Sequence, residues 1–447
     1  MLIFAALYHT YQMAEQSLKD KTAKGLFWGG VSNGVQQLLG MLFGIYLART
    51  LNAEDYGLVG MLAIFSGIAG TIINSGFSVA LTNKLDATHK DYNAVFWFSF
   101  VVSICLYIVL FFSAPLIASF YDRQELVNLS RVIFASFLFS GMAIVPHVIL
   151  FKQLQVKIQA KIDVFALFLS GICGVLLAFN GFAYWALAIQ STVYVASVSL
   201  LKWMVVSWRP SLDFSIEPLK EMFPFSVKLF LTNIFQQVNN NVFSVLLGKL
   251  YNANVLGYYS QGNKWMTMGG SMLSNMINSV AQPVFVQVND DLERQRNVFR
   301  KMVRFAAFVS FPAMLGLAFV AEEFICATIG NKWLESVPIL QILCVQGAIG
   351  PIILLYTSSC LAREIGYVFI CECVPWYITI GYIMAYCIFW YSLYGCCICA
   401  YLCIYVICVA SFGLSIDSCP FGTIGARCVT LFGGYFVRLL RSIFLND

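Results

Sequence analysis

The residues of this chain with the clearest chemical potential are neutral amides set inside apolar segments. Asn33, Gln36 and Gln37 occur together, and Asn233, Gln236, Gln237 and Asn240 repeat the arrangement 200 residues later. Amides do not transfer protons at neutral pH or attack electrophiles. Each offers N–H donors and an acceptor oxygen, so the chemistry available is hydrogen bonding to another polar group. At helical spacing each set falls on one face of its helix. Hydroxyls and amides extend the pattern: Thr71, Ser75, Ser78 and Thr82 follow i, i+4, i+7, i+11 with Asn74 beside them, and Ser271, Asn275, Asn278 and Gln282 take the same places in the second copy. Two uses compete. Such side chains hydrogen-bond between neighbouring helices, aided by Gly29, Gly40 and Gly44 on the same face, or they line a water-filled cavity. The candidate cavity set is Asn33, Gln36, Gln37, Asn74, Ser78, Lys228, Asn233, Gln236, Gln237, Asn240, Asn275 and Asn278.

The elements that must carry these residues are membrane helices. Hydrophobic residues make up 60% of the 447 and charged residues 11%, and the apolar runs reach the roughly 20 residues a bilayer crossing needs. Helices are expected near 24–48, 57–82, 92–121, 126–150, 158–179, 182–206, 223–248, 258–287, 301–320 and 336–361, with two more near 367–390 and 396–414. The 200-residue offset holds from Asn33/Asn233 through Phe43/Phe243, Leu47/Leu247, Asn52/Asn252 and Gly57/Gly257 without slipping, the mark of a duplicated unit. Six apolar segments separate the copies, so both enter the membrane in the same direction. The expected fold is an all-α integral membrane protein of about 12 helices in two six-helix lobes related as parallel repeats. The N-lobe is expected at 24–206 and the C-lobe at 223–414. A cytoplasmic segment 1–23, a linker 207–222 containing Pro210 and Pro218, and a tail 415–447 complete the chain.

Charge orients the chain. Basic residues concentrate in segments on one side, including Lys19, Lys21, Lys24, Lys152, Lys157 and a loop from Arg294 to Arg304, whereas the opposite side holds only Arg49, Arg123, Arg131, Lys249, Lys264 and Lys332. The positive-inside rule then puts the N-terminus in the cytoplasm. Lys228 sits within an apolar run about 140° round its helix from Asn233, near an end from which it can snorkel. His147 beside Pro146 reads as a packing residue, Glu322 and Glu323 as a loop pair, and no Asp or Glu stands clearly mid-helix. Met1 to Tyr11 lacks the basic start of a signal peptide, and Met13 is an alternative start.

The segment Ser17 to Gly30 (SLKDKTAKGLFWGG), followed by Leu47 to Met61 (LARTLNAEDYGLVGM), resembles the opening of the Wzx-type polysaccharide flippases, a branch of the multidrug/oligosaccharidyl-lipid/polysaccharide exporter superfamily. The similarity runs from about Met13 to Arg363. It implies two six-helix lobes in a bacterial inner membrane and movement of an undecaprenyl-diphosphate-linked oligosaccharide from the cytoplasmic to the periplasmic leaflet, with membrane lipids and a polysaccharide polymerase as partners. It implies no enzyme activity and no cofactor, while coupling to an ion gradient or membrane potential stays open. A multidrug or cation exchanger should show an intramembrane carboxylate, and a polymerase or glycosyltransferase a catalytic cluster in a long loop. Beyond Arg363 the similarity stops in a Cys-rich tract, including Cys371, Cys373, Cys396, Cys397 and Cys399, whose apolar setting does not suit a structural zinc site. This tract is either diverged terminal helices or an out-of-frame translation.

Overall fold

A computed structural model describes residues 28–361 apart from 75, 85, 213, 214 and 288–291. The segment 1–23, the two expected helices after residue 366, the Cys-rich tract and the tail lie outside the described residues. The described chain is helical, without strands: α1 (28–50), α2 (Ala53–Met61), α3 (Ala63–Asn74), α4 (Phe77–Asn83), α5 (His89–Tyr121), α6 (Leu126–Lys152), α7 (Val156–Phe179), α8 (Tyr184–Val205), α9 (Glu217–Leu250), α10 (Ala253–Gln287), α11 (Leu292–Phe319), α12 (Ala321–Thr328), a 3-10 turn (Asn331–Ser336) and α13 (Val337–Leu361). Seven segments among the described residues are long and apolar enough to cross a membrane, which makes this a multi-pass membrane protein. The chain divides into two units, one comprising the described residues through Leu273 with Val309–Gly350, the other Ser274–Phe308 with those from Pro351.

Helix starts follow local chemistry. Asn52 and Asp55 form a capping box at α2, and Thr88 and Asp91 form another at α5, each satisfying amide donors that the first turn leaves open. Pro218 falls in the first turn of α9, where its missing N–H costs nothing, so the linker is shorter than expected and ends at Ile216. That linker is docked on α5: Asn93 Oδ1 accepts from the Ser211 amide at 3.0 Å, Trp97 Nε1 donates to Ser211 O at 2.7 Å, and Trp208 packs against His89, Tyr92, Phe96 and Trp203.

Four expectations need correction. The second helix is not continuous over 57–82. It breaks after Met61 and again at Gly76, whose φ of +72° ends helical bonding; its counterpart position holds Met276, and α10 runs unbroken there. The basic run Arg294 to Arg304 is not a loop but the first turns of α11, and Glu322 and Glu323 form the first turn of α12, where carboxylates suit the helix dipole. Finally, Lys264 does not stand in an external segment; it belongs to α10.

The first unit is organised around a close crossing of α2 with α10. A methyl carbon added to Gly57 would fall 1.8 Å from the Ala253 carbonyl oxygen, and one added to Gly257 would fall 1.8 Å from that of Ala53. Gly60 meets its own counterpart, Ser260, whose Oγ would be 3.0 Å from such a carbon. Every contact maps onto its partner under the 200-residue offset, which is how two surfaces related by a local two-fold touch, with the axis passing between Gly60 and Ser260. Around this crossing a core gathers Ala48, Trp265, Met314, Ile325, Trp333, Leu340 and Cys344, while Leu47 of α1 and Leu51 just after it pack with Ala178 and Ala186. Gly171 of α7 receives the Phe43 ring, with 2.3 Å from an added methyl carbon to the ring atoms. In the second unit Phe299, Ala306 and Leu355 form a small core.

Gly57→Ala or Gly257→Ala should therefore force the two backbones apart and lower stability by about 1–3 kcal/mol, the usual cost of overpacking. Gly70→Ala, with nothing within 4 Å of the new methyl, should be neutral or slightly stabilising. Melting temperatures of the purified protein check this; unchanged values for both α2 and α10 variants would refute the close crossing.

Candidate functional site

The amide set separates by residue. Asn33 of α1 and Asn233, Gln236 and Asn240 of α9 are exposed, whereas Gln36, Gln37 and Gln237 are half-buried. Gln37 Nε2 donates to Ser271 Oγ of α10 at 3.2 Å, joining the first-copy and second-copy stripes directly. Gln237 lies in the hollow left by Gly67 of α3, where an added methyl carbon would be 1.7 Å from Nε2. These two glutamines are equivalent in the repeat and both seal a helix seam, α1 against α10 and α9 against α3. Gln36 donates to Ser32 Oγ on its own helix at 2.9 Å. Interhelical contact thus accounts for Gln37, through a hydrogen bond, and for Gln237, through packing, while Asn33, Asn233, Gln236 and Asn240 stay open.

The other candidates behave differently. Thr71 Oγ1 donates to Gly67 O at 3.0 Å, Asn74 Nδ2 to Gly70 O at 3.0 Å and Thr82 Oγ1 to Ser78 O at 2.7 Å, so these groups are bonded back to their own helix. The break at Gly76 separates Thr71 and Asn74 on α3 from Ser78 and Thr82 on α4, which a single helical wheel could not show. Of the expected packing glycines, Gly44 alone is tightly covered; Gly40 has nothing within 4 Å and Gly29 makes an ordinary contact to Val156. Asn275 is exposed on the second unit. The side chains of Lys228, Asn278, Ser75 and Gln282 lie outside the described residues.

The end of α1 is tied to the segment that follows α12. Arg49 donates from Nε to Thr328 O and from Nη2 to Ala327 O, both at 2.7 Å. In return Lys332 Nζ donates to Arg49 O at 2.8 Å and Leu51 O at 2.6 Å, and Trp333 Nε1 to Ala48 O at 2.8 Å. Two helix C-termini, each with carbonyls lacking an intrahelical donor, thus exchange donors, and the cations also oppose the negative dipole ends. Trp333 is fully buried and meets Tyr56 and Tyr258 edge-on. Lys249, the counterpart of Arg49, pairs with Asp122 at 3.0 Å in an exposed setting. Toward the other ends of the helices, Lys84 joins Glu221 of α9 at 2.6 Å and Asp91 of α5 at 3.0 Å, and the two carboxylates, Glu221 foremost, hold its ammonium above the ordinary lysine pKa.

Sequence reasoning missed a carboxylate. Asp163 lies within α7, half-buried and electrostatically coupled to Lys202 of α8. Lys202 is itself buried in the last turn of α8, 3.3 Å from His147 Nδ1 on α6. The signal was present, since Asp163 is a charge inside the expected helix 158–179, and its partner 39 positions on could not be inferred from spacing.

Comparison with known proteins adds the following. The family described as polysaccharide biosynthesis protein matches residues 46–338, more than half of the chain. The teichuronic acid biosynthesis protein TuaB of Bacillus subtilis (strain 168) is 28% identical over 333 residues, covering 74% of this chain and 69% of its own. The lipopolysaccharide biosynthesis protein WzxC of Escherichia coli (strain K12) is 24% identical over 342 residues, covering 74% and 68%. Among solved structures, an inward-facing multidrug resistance MATE family transporter of the MOP superfamily superposes with a TM-score of 0.65 at 16% identity, covering 91% of this chain and 96% of that one. Lipid II flippase MurJ in an inward closed conformation gives 0.58 at 13%, covering 94% and 99%. These two likenesses are of fold.

Cysteine placed at Asn33, Asn233, Gln236 or Asn240, in a background lacking native cysteines, should react with a small hydrophilic thiol reagent. Leu42, on the opposite face of α1 and 64% exposed, should stay silent as a lipid-facing control. Equal protection at all five positions would assign the amides to packing.

Proposed function

Since the chain belongs to the polysaccharide biosynthesis protein family, we propose that it is a flippase carrying an undecaprenyl-diphosphate-linked oligosaccharide from the cytoplasmic to the periplasmic leaflet of a bacterial inner membrane, with its N-terminus inside. The observation that carries this reading is the set of exposed amides on α1 and α9, equivalent helices of the repeat, alongside glutamines that seal the neighbouring seams. A sugar hydroxyl taken into hydrocarbon without a partner costs about 4–8 kcal/mol on the cyclohexane scale, so an oligosaccharide does not cross unaided. A hydrated path lined by Asn33, Gln36, Asn233, Gln236 and Asn240 replaces those lost hydrogen bonds with many weak and interchangeable ones. Binding of that kind holds a head group and still releases it. The lipid tail stays in the bilayer while two lobes, 24–206 and 223–414, rock about the crossing of α2 and α10. In this orientation the exchange among Arg49, Lys332 and Trp333 sits at the periplasmic ends and must part for release, while no covalent chemistry is asked of the protein.

One observation favours a second reading. Asp163 supplies the intramembrane carboxylate that a multidrug or cation exchanger of the same superfamily requires. It stands on α7, however, and the exposed amides that carry the first reading stand on α1 and α9.

Replacing Asn33, Gln36, Gln236 and Asn240 together by Leu should abolish surface polysaccharide in a strain whose export depends on this gene, with the protein still inserted because Leu suits the bilayer. Any one of these changes to Ala should lower it only modestly. Normal polysaccharide from the quadruple variant would remove these amides from the path. Asp163→Asn should leave drug susceptibility unchanged; a rise in susceptibility with polysaccharide intact would favour the exchanger.

A further inference from the structure

Lys264 is a charged residue of the first unit whose placement the preceding reading leaves without a purpose. It stands eleven positions into α10, about 16 Å along the axis at 1.5 Å per residue. A lysine side chain spans about 6 Å, so this one cannot snorkel past the helix end as Lys249 or Arg49 can. Its ammonium lies instead against α1: a methyl carbon added to Gly44 would be 2.6 Å from Nζ and 3.4 Å from Cε. Gly44 is buried, and the hollow left by its missing side chain is where the charge sits. Among the described residues no carboxylate forms an ion pair with Lys264. One turn earlier on α10, the buried Gln261 amide meets the Tyr56 hydroxyl of α2.

Such an arrangement is costly for a resting protein. A lysine well inside a membrane helix costs about 2.5–3.5 kcal/mol on insertion scales, so the packing of α1 on α10 would be stronger without it. The repeat supplies the comparison. The position equivalent to Lys264 is Ile64 and the position equivalent to Gly44 is Ser244, so the matching seam of α9 with α3 is built without a charge. The duplicated scaffold therefore does not need this cation. Two turns along the same α1 and α10 seam lies the Gln37 to Ser271 bond, which places Lys264 in line with the amide stripe.

We infer that Lys264 is the cation that receives the diphosphate of the lipid-linked substrate, in the notch that Gly44 opens on α1, with the Gln261 amide as the adjacent donor. This rests on the flippase reading and assigns it an anion subsite. A diphosphate brings negative charge and acceptor oxygens to an ammonium that no carboxylate pairs with among the described residues. Only one seam carries the cation, so the substrate's anionic end is bound asymmetrically, against the α1 and α10 side, while the neutral sugars face the exposed amides. Sugar identity then has little effect on anchoring, and the diphosphate, common to every repeat unit, carries it.

The test uses the purified full chain in lipid nanodiscs with geranylgeranyl diphosphate as probe, geranylgeraniol as its uncharged counterpart and inorganic pyrophosphate as the free anion. Wild type should bind the prenyl diphosphate, Lys264→Gln should weaken that binding by about tenfold or more, and Lys264→Arg should retain most of it. Geranylgeraniol should bind both proteins alike. Gly44→Ala keeps the charge but displaces the ammonium; it should weaken the diphosphate several-fold and serves if Lys264→Gln does not fold. Unchanged affinity in Lys264→Gln, or in Gly44→Ala where the first variant fails, would overturn this subsite and leave the flippase reading standing. No binding of the prenyl diphosphate to wild type would overturn both. Pyrophosphate binding as tightly as the prenyl diphosphate would make this a free-anion site and overturn the lipid assignment.

Discussion

The backbone contact between α2 and α10 is the constraint on which the rest of the first unit depends. With Gly57 on Ala253 and Gly257 on Ala53, no side chain separates the two helices, and the chain is held at the distance that carbonyl oxygens and α-carbons allow. In a bilayer, where apolar side chains gain nothing from leaving lipid for protein, close backbone approach is one of the few strong sources of helix association. Once α2 and α10 are fixed, α1 and α9 are fixed with them, because only the short connections at 51–52 and 251–252 intervene. The seams of α1 with α10 and of α9 with α3 follow from that geometry.

The polar chemistry is graded along these seams. Gln37 and Gln237 are spent on closing them, and their neighbours Asn33, Gln236 and Asn240 are left uncovered. Amides are suited to this division. They carry no charge to be desolvated, so a seam that opens and closes exposes them at little cost, whereas a buried ion pair would hold the helices in one arrangement. Where the protein does use ions between helices, it places them at the ends: Lys84 with Glu221 and Asp91 near one, Arg49, Lys332 and Lys249 near the other. Contacts there are partly open to water and individually weak.

Trp333 is the exception to weak end contacts. Its ring is fully buried between Tyr56 and Tyr258, one from each copy, and its indole N–H satisfies the Ala48 carbonyl. A large aromatic with its polar edge satisfied adds packing without leaving an orphan donor. It anchors the 3-10 turn to α1 in a way that the neighbouring lysine and arginine alone would not.

Much of this was legible in the order of residues. The apolar runs marked the described helices to within a few residues except where α9 and α11 start earlier, because a bilayer imposes a length and a composition on anything that crosses it. The 200-residue register foretold that Gly57 and Gly257 are equivalent, and the wheel foretold that Asn33, Gln36 and Gln37 share a face. What periodicity could not supply was covering. Gln37 meets Ser271, Gln237 fills the hollow of Gly67, and Asn240 is exposed, although all three belong to the same pattern; the difference lies in which neighbour stands opposite, and that is a property of helix crossing alone. Local backbone was also hidden: Gly76 looks like any helical glycine until its φ turns positive and divides α3 from α4. A charge in a long apolar segment can lie near an end or in the middle, and only the tertiary structure, by setting where α10 begins and what α1 places opposite, decided that Lys264 is interior, while Asp163, in the second or third turn of α7, lies near Lys202 of the last turn of α8.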